Sequence, residues 1–139
     1  MRLVRSLRAR GAERGAAAVE FALLLPLMFL VIAGIVDFGR AFFTQIELTN
    51  AAREGARAAV VSSISAGDIQ ARAAASAPGI GGLSVDTPTI CPASGGGNAT
   101  VTARATFDWI LLQPALSMVG AGAALPTSLS STAVMKCGG

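Results

Sequence analysis

The chain has 139 residues, no histidine, two cysteines and a single lysine, which leaves room for one modest domain and little raw material for metal sites or acid–base catalysis. Its formal net charge of +3 does not mark a nucleic-acid binder. Five arginines (Arg2, Arg5, Arg8, Arg10 and Arg14) crowd the leader, and from Ala16 onward six basic residues stand against seven acidic ones.

The leader, residues 1–15, runs into Gly15-Ala16-Ala17-Ala18-Val19-Glu20-Phe21, where a glycine and small residues precede a glutamate at the start of an apolar helix. A carboxylate in a membrane span is unfavourable, by about 2.5–3.5 kcal/mol at mid-bilayer and less near the interface. Compensation is therefore expected. Cleavage after Gly15 would create an amine on Ala16, largely protonated at neutral pH given a reference pKa of about 8, one helical turn from Glu20. Glu20 of one subunit could then pair with the amine of a subunit docking beside it and fix their axial offset. The plainer alternative is that Glu20 faces headgroups and the positive end of its own helix dipole, a typical gain of about 0.3–1 kcal/mol.

Ala16 to Val36 is 21 residues with one charge, Glu20. A helix of that length covers roughly 31 Å, about one hydrocarbon core, and inside lipid the backbone must satisfy its own hydrogen bonds. Pro26 frees the carbonyl of Ala22 and loosens that turn. Arginines before the span, with Arg40 offset by Asp37 after it, predict a cytoplasmic N-terminus and an extracytoplasmic remainder. A secretory signal peptide is the rival reading, with Val31-Ile32-Ala33 before Gly34 as its cleavage site. The length of the span, and helical patterning that continues through that point, weigh against it.

Residues 37–63 read as an amphipathic extension of the same helix, with Phe38, Phe42, Ile46, Thr49, Ala52, Ala56 and Val60 on its apolar face. Asp37–Arg40 and Glu54–Arg57 stand at i,i+3 spacing, worth a few tenths of a kcal/mol each. Ala51, Gly55 and Ala59 form a second row of small residues, suited to close approach by the chain's own sheet or by another subunit. Residues 64–139 then form a small α+β domain. Asp68 to Ala77 is predicted as a short helix ended by Pro78-Gly79, and Leu83 to Ile90 as a weak strand. Pro92 to Asn98 is a glycine-rich loop.

From Ala99 the pattern alternates: Ala99, Val101, Ala103, Ala105 and Phe107 on one face, Thr100, Thr102, Arg104, Thr106 and Asp108 on the other. Thr127 to Cys137 is a second strand of softer alternation. Between them, Trp109 to Leu125 falls short of the roughly 20 apolar residues of a span and is interrupted by Gln113, Pro114, Gly120 and Gly122. It reads as a loop with a helical turn, or as an exposed tip offering Trp109, Ile110, Leu111 and Leu112 to a partner. Cys91 and Cys137 lie beyond the membrane, where thiols tend to be oxidised, and an intramolecular disulfide is expected; the alternatives are a free thiol, an intermolecular bridge, or a lipidated thiol, against which stands the lack of a small-residue lipobox before Cys91.

The run Arg14-Gly15-Ala16-Ala17-Ala18-Val19-Glu20-Phe21-Ala22-Leu23-Leu24-Leu25-Pro26 resembles the TadE-like pseudopilins of Tad (Flp-type) pilus systems. So does Ala51-Ala52-Arg53-Glu54-Gly55-Ala56-Arg57. The resemblance covers the N-terminal part of the chain and is loose beyond it. It implies cutting after the glycine by an aspartyl prepilin peptidase, with Gly15, Ala16 and Glu20 matching the cleavage and assembly residues. The implied product is a minor pilin or pseudopilin that helps build or initiate a fibre used in surface adhesion. Its partners would be the peptidase, other pilin or pseudopilin subunits, the assembly machinery and the membrane.

No enzyme activity, cofactor, metal, nucleic acid or small-molecule substrate is expected, because no nucleophile–base pair, metal set or phosphate loop can be assembled from these residues. An uncleaved, single-pass envelope interaction protein and a type II secretion pseudopilin are the competing functions. The expected fold is α+β: one long N-terminal helix, membrane span plus amphipathic extension, with a small antiparallel sheet packed on its outer half.

Overall fold

The computed structural model describes residues 4–61, 64–86, 88–121 and 125–138, with side chains from residue 15 onward, so the arginine side chains of the leader lie outside the described set. The elements follow as α1 (Val4–Ala59), α2 (Ala66–Ala75), β1 (Ser84–Val85), β2 (Asn98–Thr106), α3 (Leu112–Met118) and β3 (Ser128–Lys136). The fold class is α+β, a long apolar helix and a three-stranded antiparallel sheet of order β1-β2-β3. The chain divides into two compact units, one from Met1–Asp37 with Ile110–Ala123, the other from Phe38–Trp109 with Ala124–Gly139.

In the first unit, α1 carries an apolar stretch long enough to cross a bilayer. Large side chains such as Leu23, Phe29 and Ile35 are exposed there. The covered positions Leu30, Ala33, Gly34 and Asp37 recur at three- and four-residue intervals and so form one stripe. Pro26 sits inside the helix.

The segment expected as a loop with a helical turn, or as an exposed tip, holds a seven-residue helix, α3, in which Leu112 is buried while the preceding Ile110 and Leu111 are exposed. A helix start leaves its first N–H groups without partners, and Leu111 at the cap offers no side-chain acceptor. Asp37 supplies one: its buried carboxylate Oδ2 accepts from the N–H groups of Leu111 at 2.9 Å and Leu112 at 2.7 Å.

In the second unit, the outer part of α1 packs on the sheet, as the fold class requires. The face doing so coincides only in part, at Ala52 and Ala56, with the one periodicity suggested. Leu48, Ala51, Ala52, Ala56 and Ala59 are buried, whereas Phe38, Phe42 and Ile46 are exposed. The reason is closeness. A Cβ added to Gly55 would lie 2.8 Å from Cγ1 of Val101, so only small residues fit where helix and strand meet. The alternating strand behaves as predicted, with Ala99, Val101, Ala103, Ala105 and Phe107 buried. α1 ends at Ala59, short of the expected 63; residues 62 and 63 lie outside the described set.

α2 begins at Ala66, two residues before the expected start, because Ser65 and Asp68 form a capping box. The Asp68 amide donates to Ser65 Oγ at 3.1 Å, and the Ser65 hydroxyl and amide both reach Asp68 Oδ2. Those donors hold the Asp68 carboxyl below its ordinary pKa. Ile69 and Ala73 of α2 are buried with residues of α1 and β2.

The strand expected over 83–90 shrinks to the two residues of β1 and an isolated bridge from Thr89 to Thr100; Thr87 lies outside the described set. The outer side of β1 is occupied by the Gln70 amide, which donates to Leu83 O and accepts from Val85 N–H, both at 2.7 Å. β2 and β3 pair in register from Asn98↔Lys136 to Thr106↔Ser128. On their exposed face Thr102 and Thr132 share a 2.8 Å hydroxyl contact.

Trp109, expected in the exposed tip, is buried. Its indole N–H donates to Pro126 O at 2.8 Å, and its ring meets Phe38 and Phe107 edge-on at 5.4 and 5.0 Å between centroids. A ring with one polar atom buries well when that atom finds an acceptor.

Candidate functional site

Gly15, Ala16 and Glu20 all lie on α1 and are exposed. Ala16 and Glu20 are four residues apart on that helix, so they share a face. Among the described residues, leaving aside its own helix backbone and chain neighbours, nothing lies within 4 Å of the position a Cβ would take at Gly15, so packing against them does not require glycine there. Gly55 is the opposite case, a glycine required by packing. The Glu20 side chain is engaged in no ion pair or hydrogen bond among the described residues.

Cys91 and Cys137 are joined by a disulfide with Cα atoms 5.6 Å apart. The bond is buried beside Ala56, Ala59 and Val101, and the Cys91 N–H donates to Ala59 O, the last residue of α1, at 3.1 Å. The sheet end is thereby tied to the end of the helix. Junction and disulfide belong to different units.

Two further residues organise the structure: Asp37, read from sequence only as the charge partner of Arg40, and Gln70, which was not singled out. Asp37 carries a signal in hindsight: an acid closing an apolar span, where a buried carboxylate needs donors. Gln70 carries none, since an exposed-looking glutamine on a short helix has no pattern of its own. Among the described residues no group of three or more His, Cys, Asp or Glu side chains converges in a way that could hold a metal.

Residues 15–57 match the family model of the TadE-like proteins, and that segment of the chain is similar to them. The matched segment covers the apolar stretch of α1 and the helical part that underlies the sheet. No curated protein and no solved structure matches the chain significantly.

Proposed function

We propose that the chain is a minor pilin or pseudopilin of a Tad (Flp-type) pilus, cut by prepilin peptidase between Gly15 and Ala16 and assembled through Glu20. It is a peptidase substrate and a structural partner of other subunits, with no catalysis of its own. The helix anchors it in the bacterial inner membrane, with the N-terminus cytoplasmic and the sheet extracytoplasmic, until it joins or starts a fibre used in adhesion.

The observation that carries this reading is where the family match opens: at Gly15, the residue before the proposed cut. The open space around Gly15 among the described residues supports it, because packing against them gives no reason for a glycine there. The exposure of Glu20 leaves its carboxylate accessible to the Ala16 amine of a neighbour.

Two substitutions test the two halves of the proposal. Gly15→Leu should leave full-length protein in the membrane, since leucine is tolerated by the helix but not by a peptidase that reads glycine. Glu20→Ala should still lose residues 1–15 yet be depleted from sheared surface fibres, with Glu20→Asp intermediate. Breaking such a pair in a low-dielectric site costs about 3–5 kcal/mol, because the other charge is left stranded. An authentic N-terminus at Gly34 would establish a signal peptide, and an intact parent chain would establish an uncleaved anchor. If Glu20→Ala enters fibres as well as the parent, the assembly role is lost and the helix-dipole reading stands.

A further inference from the structure

We propose that α3 and the turn that follows it lie within the bilayer, against the span, with lipid acyl chains covering their outer face. This rests on the reading of residues 16–36 as a membrane span. The first observation is depth. α3 starts where Asp37 holds the Leu111 and Leu112 amides. Its far end shares an apolar groove of about 560 Å³ with the span, lined by Ala22, Leu25, Phe29, Ala115, Met118 and Val119 among others. From Asp37 to Leu25 is 12 residues of helix, about 18 Å. That is more than half of a hydrocarbon core of about 30 Å. A segment lying beside Leu25 and Phe29 shares their surroundings.

The second observation is chemistry. No charged residue stands between Asp108 and Lys136. Gln113 and Ser117 are exposed polar residues on α3, but the largest outward side chains are apolar, with Met118 88% exposed, Ile110 58% and Val119 53%. They continue the exposed apolar surface of the span itself, and that continuity identifies the occupant as lipid.

The third observation is that most of the backbone groups at the ends of α3 are satisfied within the chain, as hydrocarbon demands. Asp37 satisfies Leu111 and Leu112, Pro114 has no N–H to satisfy, and Ala115 donates to Leu111 O. At the far end Gly120 donates to Ser117 O and Ala121 to Leu116 O, and the Ser117 hydroxyl turns back to Pro114 O.

The test uses the full chain, its disulfide intact, reconstituted at low density in phosphatidylcholine–phosphatidylglycerol vesicles. Single cysteines at Phe29, Ile110, Met118 and Val134 carry an environment-sensitive fluorophore. Lipids brominated at mid-chain serve as the quencher. Phe29 reports the span, and Val134, an exposed position on the sheet, is the aqueous control. The expected result is a loss of emission at Met118 comparable to that at Phe29, a smaller loss at Ile110, and none at Val134. Quenching at Phe29 with none at Met118 overturns the proposal and leaves the span intact, including the case where a second copy covers α3. Absence of quenching at Phe29 removes the span and the proposal together.

Discussion

Gly39 and Gly55 stand on the same helix and should answer the same substitution in opposite directions. Nothing lies within 4 Å of a Cβ at Gly39, so Gly39→Ala gains helix propensity and should stabilise by about 0.5–1 kcal/mol. At Gly55 the new methyl meets Val101 Cγ1 at 2.8 Å, with Ala73 and Ile69 also at 3.6 Å. Val101 is fully buried and has nowhere to swing. Gly55→Ala should therefore destabilise by about 1–3 kcal/mol through overpacking, read as a lowered Tm in thermal unfolding of the detergent-solubilised protein. Equal effects at both sites would mean that helix and strand do not approach as described. The row Ala51, Gly55, Ala59 was legible in the sequence because three small residues at one-turn spacing have few other uses. The exposure of Phe38, Phe42 and Ile46 was not legible. Periodicity says which residues share a face, but only the partner's shape decides which face is used.

Among the elements, β2 was legible because strict alternation is a property of a few adjacent residues. α3 was not, because the acceptor that starts it comes from Asp37, 74 residues earlier. Removing that acceptor should leave the rest of the chain folded and release α3. In Asp37→Ala, amide hydrogen exchange at Leu111 and Leu112 should rise, each stranded N–H costing about 1–3 kcal/mol, while protection across β2 and β3 is retained. Unchanged exchange at both amides would mean that the helix start has another acceptor.

The N-terminus of α2 adds a pH dependence of known sign. The Asp68 carboxyl is held below its unfolded value by the donors of Ser65. Its stabilising effect is therefore complete above the unfolded pKa of about 3.9 and is lost as pH falls through the lowered folded value. Asp68→Asn should flatten that acid-side fall in Tm; an identical acid limb in parent and variant would remove the capping box from the account.

At the scale of the whole molecule, the expected α+β plan holds, but the stretch 110–123 groups with residues up to Asp37 instead of with the sheet. A sequence read in order assigns neighbours in the chain to one domain, and this segment leaves the sheet after β2 and returns to it at β3. The sheet is closed by the bond between Cys91 and Cys137, 46 residues apart. In the chain-entropy model that is worth about 4 kcal/mol. Replacing both cysteines with serine should lower stability by an amount of that order in denaturant titration, without changing the strand register.

The same bond sets a limit on extensibility. In the proposed role as a fibre subunit the chain would be loaded in tension, and a chain pulled from its ends lengthens by about 3.4 Å for each residue that straightens. With Cys91 joined to Cys137, the 46-residue interval between them cannot contribute, which withholds about 150 Å of slack. β2, α3 and β3 all lie inside that closed loop. Stretched singly in an optical trap, the oxidised protein should rupture to a contour length shorter by about that amount than the reduced protein. Equal contour lengths in the two states would mean that the loop is open. The load would pass across one sulfur–sulfur bond, bypassing the hydrogen-bonded ladder, so the sheet could remain folded while the rest of the subunit yields.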